Sequence, residues 1–213
     1  MRKILQTLDA TPPKEIYRSI IADYDLNLGI CELIDNAIDI WYRKNTQHDL
    51  CVDIEIDTEY QKIIVKDNAG GISEAEIVYF MSPGRTTNSG RDESIGIFGV
   101  GSKRALVALA QNINVKSRNG IGRTIEVGID ENWLNDESWN FNVFHSAKDI
   151  AKDTTEIEMF HLRKVVRDDE VDNLKDHISV TYAYFLKKSN IKISLNTEQI
   201  QPRFFDDEWS YPP

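Results

Sequence analysis

Three short segments of this 213-residue chain carry residue types that could do chemistry. The first is Glu32-Leu33-Ile34-Asp35-Asn36-Ala37-Ile38-Asp39. Wound as a helix, it places Ile30, Leu33, Ile34, Ala37, Ile38 and Trp41 on one face and Glu32, Asp35, Asn36 and Asp39 on the other. An asparagine oxygen is a hard donor suited to Mg²⁺, which takes few protein oxygens and keeps waters and phosphates around it. A glutamate one turn earlier can orient and deprotonate a water beside such an ion. The competing reading is a surface helix whose solvated side is acidic.

The second segment is Asp67-Asn68-Ala69-Gly70-Gly71-Ile72, directly after the apolar run Ile63–Val65. Its residues are all turn formers, and a plain turn is one reading. The other gives Asp67 a task. An ionised carboxylate only accepts hydrogen bonds, so it can receive the amino hydrogens of adenine and is ill-matched to the carbonyl of guanine. Paired glycines let backbone approach a flat base. The third segment is Ile95-Gly96-Ile97-Phe98-Gly99-Val100-Gly101-Ser102-Lys103. Glycines that lead into a helix expose N–H groups and the positive end of the helix dipole, a natural phosphate site. Ser102 and Lys103 stand in the wrong order for a P-loop, and Arg104 occupies the third glycine position of a dinucleotide fingerprint.

These residues need elements to position them. The chain opens with an arm, 1–13, ending in Thr11-Pro12-Pro13, and a helix is expected from Lys14. The periodicity predicts a helix from Leu26 to Lys44, then strands over Val52–Asp57 and Ile63–Val65 with a turn at 58–61. A short helix over Glu74–Met81 has Ser73 as its cap. Residues 82–94 form a polar stretch of the length that serves as a lid, and 82–103 together read as lid and phosphate loop. Ala105–Ala110 reads as a buried helix. Strands are predicted at Ile113–Lys116, Thr124–Ile129, Trp139–Phe144 and Glu156–Phe160. A long amphipathic helix follows over Asp168–Phe185, then a closing strand, Ile191–Leu195, and a tail, 196–213. Strands following one another directly favour an α+β class, in one domain over 1–213.

The three segments, in this order, resemble the motif set of the GHKL ATPases, the superfamily of gyrase B, the large heat-shock chaperone, histidine kinases and MutL. The third segment is similar to the chaperone and MORC versions, and the first to gyrase B and MutL. The resemblance covers roughly Asp25 to Leu162. It implies a Bergerat-type two-layer sandwich: a mixed, mostly antiparallel sheet with helices on one face. It implies ATP and Mg²⁺ as ligands, with Glu32 as the general base, Asn36 as the metal ligand and Asp67 as the adenine contact. Gly71 corresponds to the backbone beneath the base, and Gly96, Gly99 and Gly101 to the phosphate-contacting end of the lid. Lys103 either reaches phosphate or is an exposed lysine at a helix start. Asp35 and Asp39 would be secondary, orienting Glu32 or a water. A fourth motif, a threonine opening a late strand, falls at Thr155, with Thr154 as the alternative. The family implies ATP hydrolysis driving a lid and dimerisation cycle, with a homodimer and a downstream transducer or effector domain as partners. A nucleotide sensor without turnover and a GHKL-type protein kinase are the other readings.

Composition bounds the rest. A formal charge of −10 argues against a broad nucleic-acid grip, leaving nucleic acid to other regions of an assembly. No apolar run approaches the roughly 20 residues that span a bilayer. Two cysteines, Cys31 and Cys51, and four scattered histidines make no disulfide framework or metal spacing. Both cysteines are expected to pack as small apolar residues. A reducing, cytoplasmic location is the expectation that follows.

Overall fold

A computed structural model describes residue 6 and residues 24–81, 101–188 and 190–204, with backbone alone for 101–104. The expected arm, the helix from Lys14, the lid segment 82–94, Gly96, Gly99 and Trp209 lie outside the described residues.

Helix α1 spans Leu26–Lys44. The Asp25 carboxylate caps it by accepting from the Leu28 N–H at 2.8 Å, and Asn45 ends it in the left-handed region at φ 50°. Strands β1 (Leu50–Asp57) and β2 (Lys62–Asp67) pair antiparallel around the expected turn, where the Asp57 carboxylate accepts from the Glu59 and Tyr60 N–H groups. A short helix, α2, runs from Ile77 to Met81. Helix α3 (Gly101–Leu109) passes without a loop into β3 (Ala110–Arg118). Then come β4 (Ile125–Ile129), α4 (Glu131–Asn135), β5 (Phe144–His145) and β6 (Thr154–Leu162). Helices α5 (Asp168–Thr181) and α6 (Ala183–Lys187) precede β7 (Ile191–Leu195) and β8 (Glu198–Gln199).

The strands make one eight-stranded sheet in the order β5-β4-β3-β6-β2-β1-β7-β8. Among the described residues the β1–β7 pair is parallel and the other pairs are antiparallel. Alternation explains its two faces. Val52, Ile54, Ile63, Val65, Ile113, Val115, Val127, Ile157, Met159 and Ile193 are buried on the side the helices cover. The outward side is polar, with cross-strand pairs Lys62–Glu158, Lys66–Glu156 and Asn114–Glu126. The layer over the sheet is tight at Gly29 of α1, where a Cβ would come within 2.8 Å of the Leu109 side chain of α3. This is the two-layer α+β architecture expected from the sequence.

Four local expectations need correction. Of the strand predicted over Trp139–Phe144, only Phe144 pairs, because 136–140 spends its polar groups locally. The Asp136 carboxylate accepts from the Ser138 N–H at 3.2 Å and the Asn140 carbonyl accepts from the Trp133 indole at 2.7 Å. The helix predicted over Asp168–Phe185 breaks at Tyr182, whose ring turns inward to α1. Ser73 does not cap through its oxygen as acceptor. Its hydroxyl and N–H both donate to the Glu76 carboxylate, at 2.8 and 3.0 Å. The predicted tail begins as strand, since β8 pairs with β7. Cys31 and Cys51 are both free, and burial pushes the Cys31 thiol up to about 11, in keeping with packing residues.

Candidate functional site

The buried face of the sheet changes character at one end of three strands. Along β2 the inward residues run Ile63, Val65, Asp67, so a carboxylate takes the place where alternation calls for a hydrophobe. Asp67 stands opposite Thr155 of β6, and Thr155 stands opposite Ser117 of β3. All three are buried, which makes a polar row across β2, β6 and β3. The Thr155 and Ser117 hydroxyls are 2.9 Å apart, and Ser117 accepts from the Ile72 N–H at 2.7 Å. The row is thereby clipped to the loop that follows Asp67. Neighbouring Thr154 is turned elsewhere, its hydroxyl donating to the Lys152 carbonyl at 3.2 Å.

Burial pushes the Asp67 carboxyl up to about 7, against the opposing pull of the Ala69 N–H and the Lys44 charge. The Ala69 N–H donates to it at 2.9 Å. Near neutral pH this carboxyl is poised between its two protonation states.

Gly70 and Gly71 have φ of 120° and 65°, a region that side chains rarely adopt. At Gly71 there is also no room, because a Cβ would fall 2.2 Å from the Arg118 carbonyl oxygen. The Gly70 N–H donates to the Asp153 carbonyl at 2.9 Å, and the Gly70 carbonyl accepts from Asn119 at 2.8 Å and from the Lys44 ammonium at 3.1 Å. The Gly71 carbonyl accepts from the same ammonium. Asn68 serves the strands instead, accepting from the Cys51 N–H at 2.7 Å and donating to the Asp49 carbonyl at 3.1 Å.

Glu32 and Asn36 lie half-buried one turn apart on α1. The Asn36 amide nitrogen donates to the Glu32 carbonyl at 2.6 Å, which leaves the amide oxygen as the donor atom for a ligand. Asp35 faces the α5–α6 junction. It accepts from the Tyr182 hydroxyl at 2.7 Å, and its carboxyl is raised by burial and by the nearby Asp39. Tyr182 thus ties α1 to the α5–α6 junction. The same helix ends at Lys44, eight residues or about 12 Å beyond Asn36 at 1.5 Å per residue. Gly101 opens α3, as a glycine leading into a buried helix should, and Lys103 falls in its first turn. Asp67, Gly71 and Thr155 are therefore brought together directly, and Glu32 and Asn36 share a helix whose end grips the same loop.

Residues 24–170 match the family described as histidine kinase-, DNA gyrase B- and HSP90-like ATPases. The match covers well over half of the chain. The chain belongs to this ATPase family. A comparison with curated protein sequences finds no match. This GHKL domain is accordingly an ATP-binding module, and its mixed, largely antiparallel sheet is the family's fold. Among the described residues no helix is long and apolar enough to cross a membrane.

Three residues of this ATPase domain escaped the sequence reading. Ser117 had a signal: it occupies the inward parity of Ile113 and Val115 yet is polar. Lys44 and Tyr182 had none, since their partners lie 26 and 147 residues away. A cavity of about 570 Å³ on the outward face of the sheet, beside Trp133, Phe141, Phe144 and Phe160, holds none of the candidate site residues.

Proposed function

We propose that the domain binds ATP with Mg²⁺ and hydrolyses it, with Asp67 reading the adenine amino group. The observation that carries this reading is the buried Asp67–Thr155–Ser117 row beside the locked Gly70–Gly71 backbone. A carboxylate in a sheet core is costly unless it is used or paired, and one acceptor-only group at a glycine-floored edge suits a base that offers an amino group. Thr155, rather than Thr154, is the threonine of the fourth motif, because it shares the Asp67 face.

Among the described residues no group of three His, Cys, Asp or Glu side chains is arranged for a metal ion. One amide oxygen, from Asn36, fits an ion that keeps phosphate oxygens and water for its other positions. When bound, Mg²⁺ would neutralise charge on the phosphate oxygens. Glu32, one turn away on the same face, orients the attacking water and takes its proton. Gly96, Gly99, Gly101 and Lys103 belong to the phosphate end of this proposal. Closure of 82–94 over the triphosphate, with dimer formation, completes the cycle and couples turnover to a downstream domain. The domain is most similar in its motifs to the chaperone-, MutL- and MORC-like branches.

Phosphate release from Mg-ATP, measured on wild type and Glu32→Ala, tests the reading. Loss of a water-activating base costs about 10²–10⁴-fold in rate and leaves ATP binding in place. Wild type that binds ATP and releases no phosphate would make the domain a nucleotide sensor.

A further inference from the structure

We propose that Lys44 is a positioning residue for nucleotide binding, whose ammonium group holds the Gly70 and Gly71 carbonyls so that the backbone keeps the shape the base requires. The inference rests on the ATP reading above and adds a residue outside its motifs.

Lys44 is the last residue of α1. The C-terminal end of a helix favours a cation there, but this ammonium turns away from its own helix. It donates to the carbonyls of Gly70 and Gly71 and lies 3.4 Å from the Glu76 carboxylate. Its stem leaves no space beside the loop, since a Cβ on Gly70 would meet the Lys44 Cδ at 2.6 Å. Glu76 is itself fixed from both sides. Ser73 donates to it through N–H and hydroxyl, and Arg43 approaches at 3.5 Å. Against the cost of its burial, these partners hold the Glu76 carboxyl below the usual range.

The Gly70 carbonyl has a second donor in Asn119, at 2.8 Å, whereas the Gly71 carbonyl is met by the Lys44 ammonium. One half-buried cation donates to both. The same cation favours the ionised form of Asp67, three residues upstream of Gly70. Among the described residues, the charged and titratable groups near Asp67 come from several elements, and between α1 and β1 the His48 ring lies 2.7 Å from the Asn68 carbonyl. From α1 come Lys44 and Arg43, both paired with Glu76. From the β3 and β6 ends come Arg118, engaged with Gly122, Ile150 and Asp149, and Asp153, engaged with Gly120. Asp53, Lys66 and Glu156 sit on the outward parity of their strands. Lys44 is therefore placed to set both the loop's shape and the carboxylate's charge.

ATP affinity measured from pH 5.5 to 9 on wild type, Lys44→Met, Lys44→Arg and Glu76→Gln tests this. Titration of the nucleotide's own phosphates is common to all four and cancels in the comparison. Lys44→Met should weaken binding about tenfold at neutral pH, as expected for losing a charged hydrogen bond, and should move the midpoint of the pH profile upward. Lys44→Arg should keep the wild-type midpoint and recover part of the affinity. Glu76→Gln, which leaves Lys44 less neutralised, should move the midpoint downward; this arm decides the matter if Lys44→Met does not fold. Wild-type affinity and midpoint in Lys44→Met, or a Glu76→Gln midpoint that rises or stays, overturns the role of Lys44 and leaves ATP binding intact. Wild type that binds no ATP at any pH overturns the functional reading first, and this one with it.

Discussion

At the Asp67 end of the candidate site, three strands, two left-handed glycines and a lysine fix the backbone, whereas Glu32 and Asn36 are side chains presented on one face of helix α1. The Asp67 end has its donors and acceptors matched within the fold: Ser117 to Thr155 and Ile72, Gly70 to Asp153, Asn119 and Lys44. At the α1 end, a hydrogen bond from the Asn36 amide to the Glu32 carbonyl orients the amide, and the helix is held by Leu109 against Gly29 and by Tyr182 on Asp35. A preformed end suits recognition, which gains from rigidity. Half-buried side chains on a helix face can be altered residue by residue without loss of the fold. Changes at the first should therefore appear in stability and affinity together, and changes at the second in turnover or metal dependence alone.

The Glu32→Ala loss of turnover is the largest single effect on that scale. Next comes Gly71→Ala. A left-handed φ and a Cβ driven into the Arg118 carbonyl combine to cost about 2–4 kcal/mol. Melting and ATP affinity should fall together, and a variant that melts like wild type would show that this loop is not locked. Asn36→Ala should reduce affinity for Mg-ATP while sparing metal-free ADP, with the fold unchanged. Identical Mg²⁺ titrations in the variant and wild type would remove Asn36 from the metal.

Stability against pH separates the two ends further. Burial raises the Asp67 carboxyl from 3.8 to about 7, so the folded chain holds a proton that the unfolded chain releases. The stability this group contributes is present below about pH 4 and is lost as pH rises to about 7. Denaturant midpoints of wild type and Asp67→Asn should diverge in favour of Asn across that window; parallel curves would mean that Asp67 is not buried at a cost. The smallest effect is Thr155→Val, which leaves the Ser117 hydroxyl its bond from Ile72 and should cost about 1 kcal/mol.

What the sequence made legible follows the same division. The bounds of helix α1, Leu26–Lys44, are legible because apolar spacing is a local signal. The sheet's inward alternation on β1, β2, β3 and β6 was equally visible. The break at Tyr182 was not, since the helical pattern continues through it and the hydroxyl's partner lies on another helix. The irregular 136–143 segment has the pattern of a strand because Trp139, Phe141 and Val143 alternate, yet short side-chain bonds hold the backbone away from the ladder. At the site, motif residues were found by type and spacing. Ser117 was findable only by asking why a polar residue keeps an apolar parity, and Lys44 only from the fold.

Titration calorimetry at pH 8, where Asp67 is ionised, tests the central claim most directly. Wild type and Asp67→Asn are each titrated with Mg-ATP and Mg-GTP. Wild type should bind ATP and discriminate strongly against GTP. Asp67→Asn should lose about 1–3 kcal/mol for ATP, roughly 5- to 150-fold in Kd, with a smaller change for GTP. Equal wild-type affinity for the two nucleotides, or an Asp67→Asn isotherm for ATP that overlays wild type, would contradict the assignment of Asp67 as the residue that reads the base.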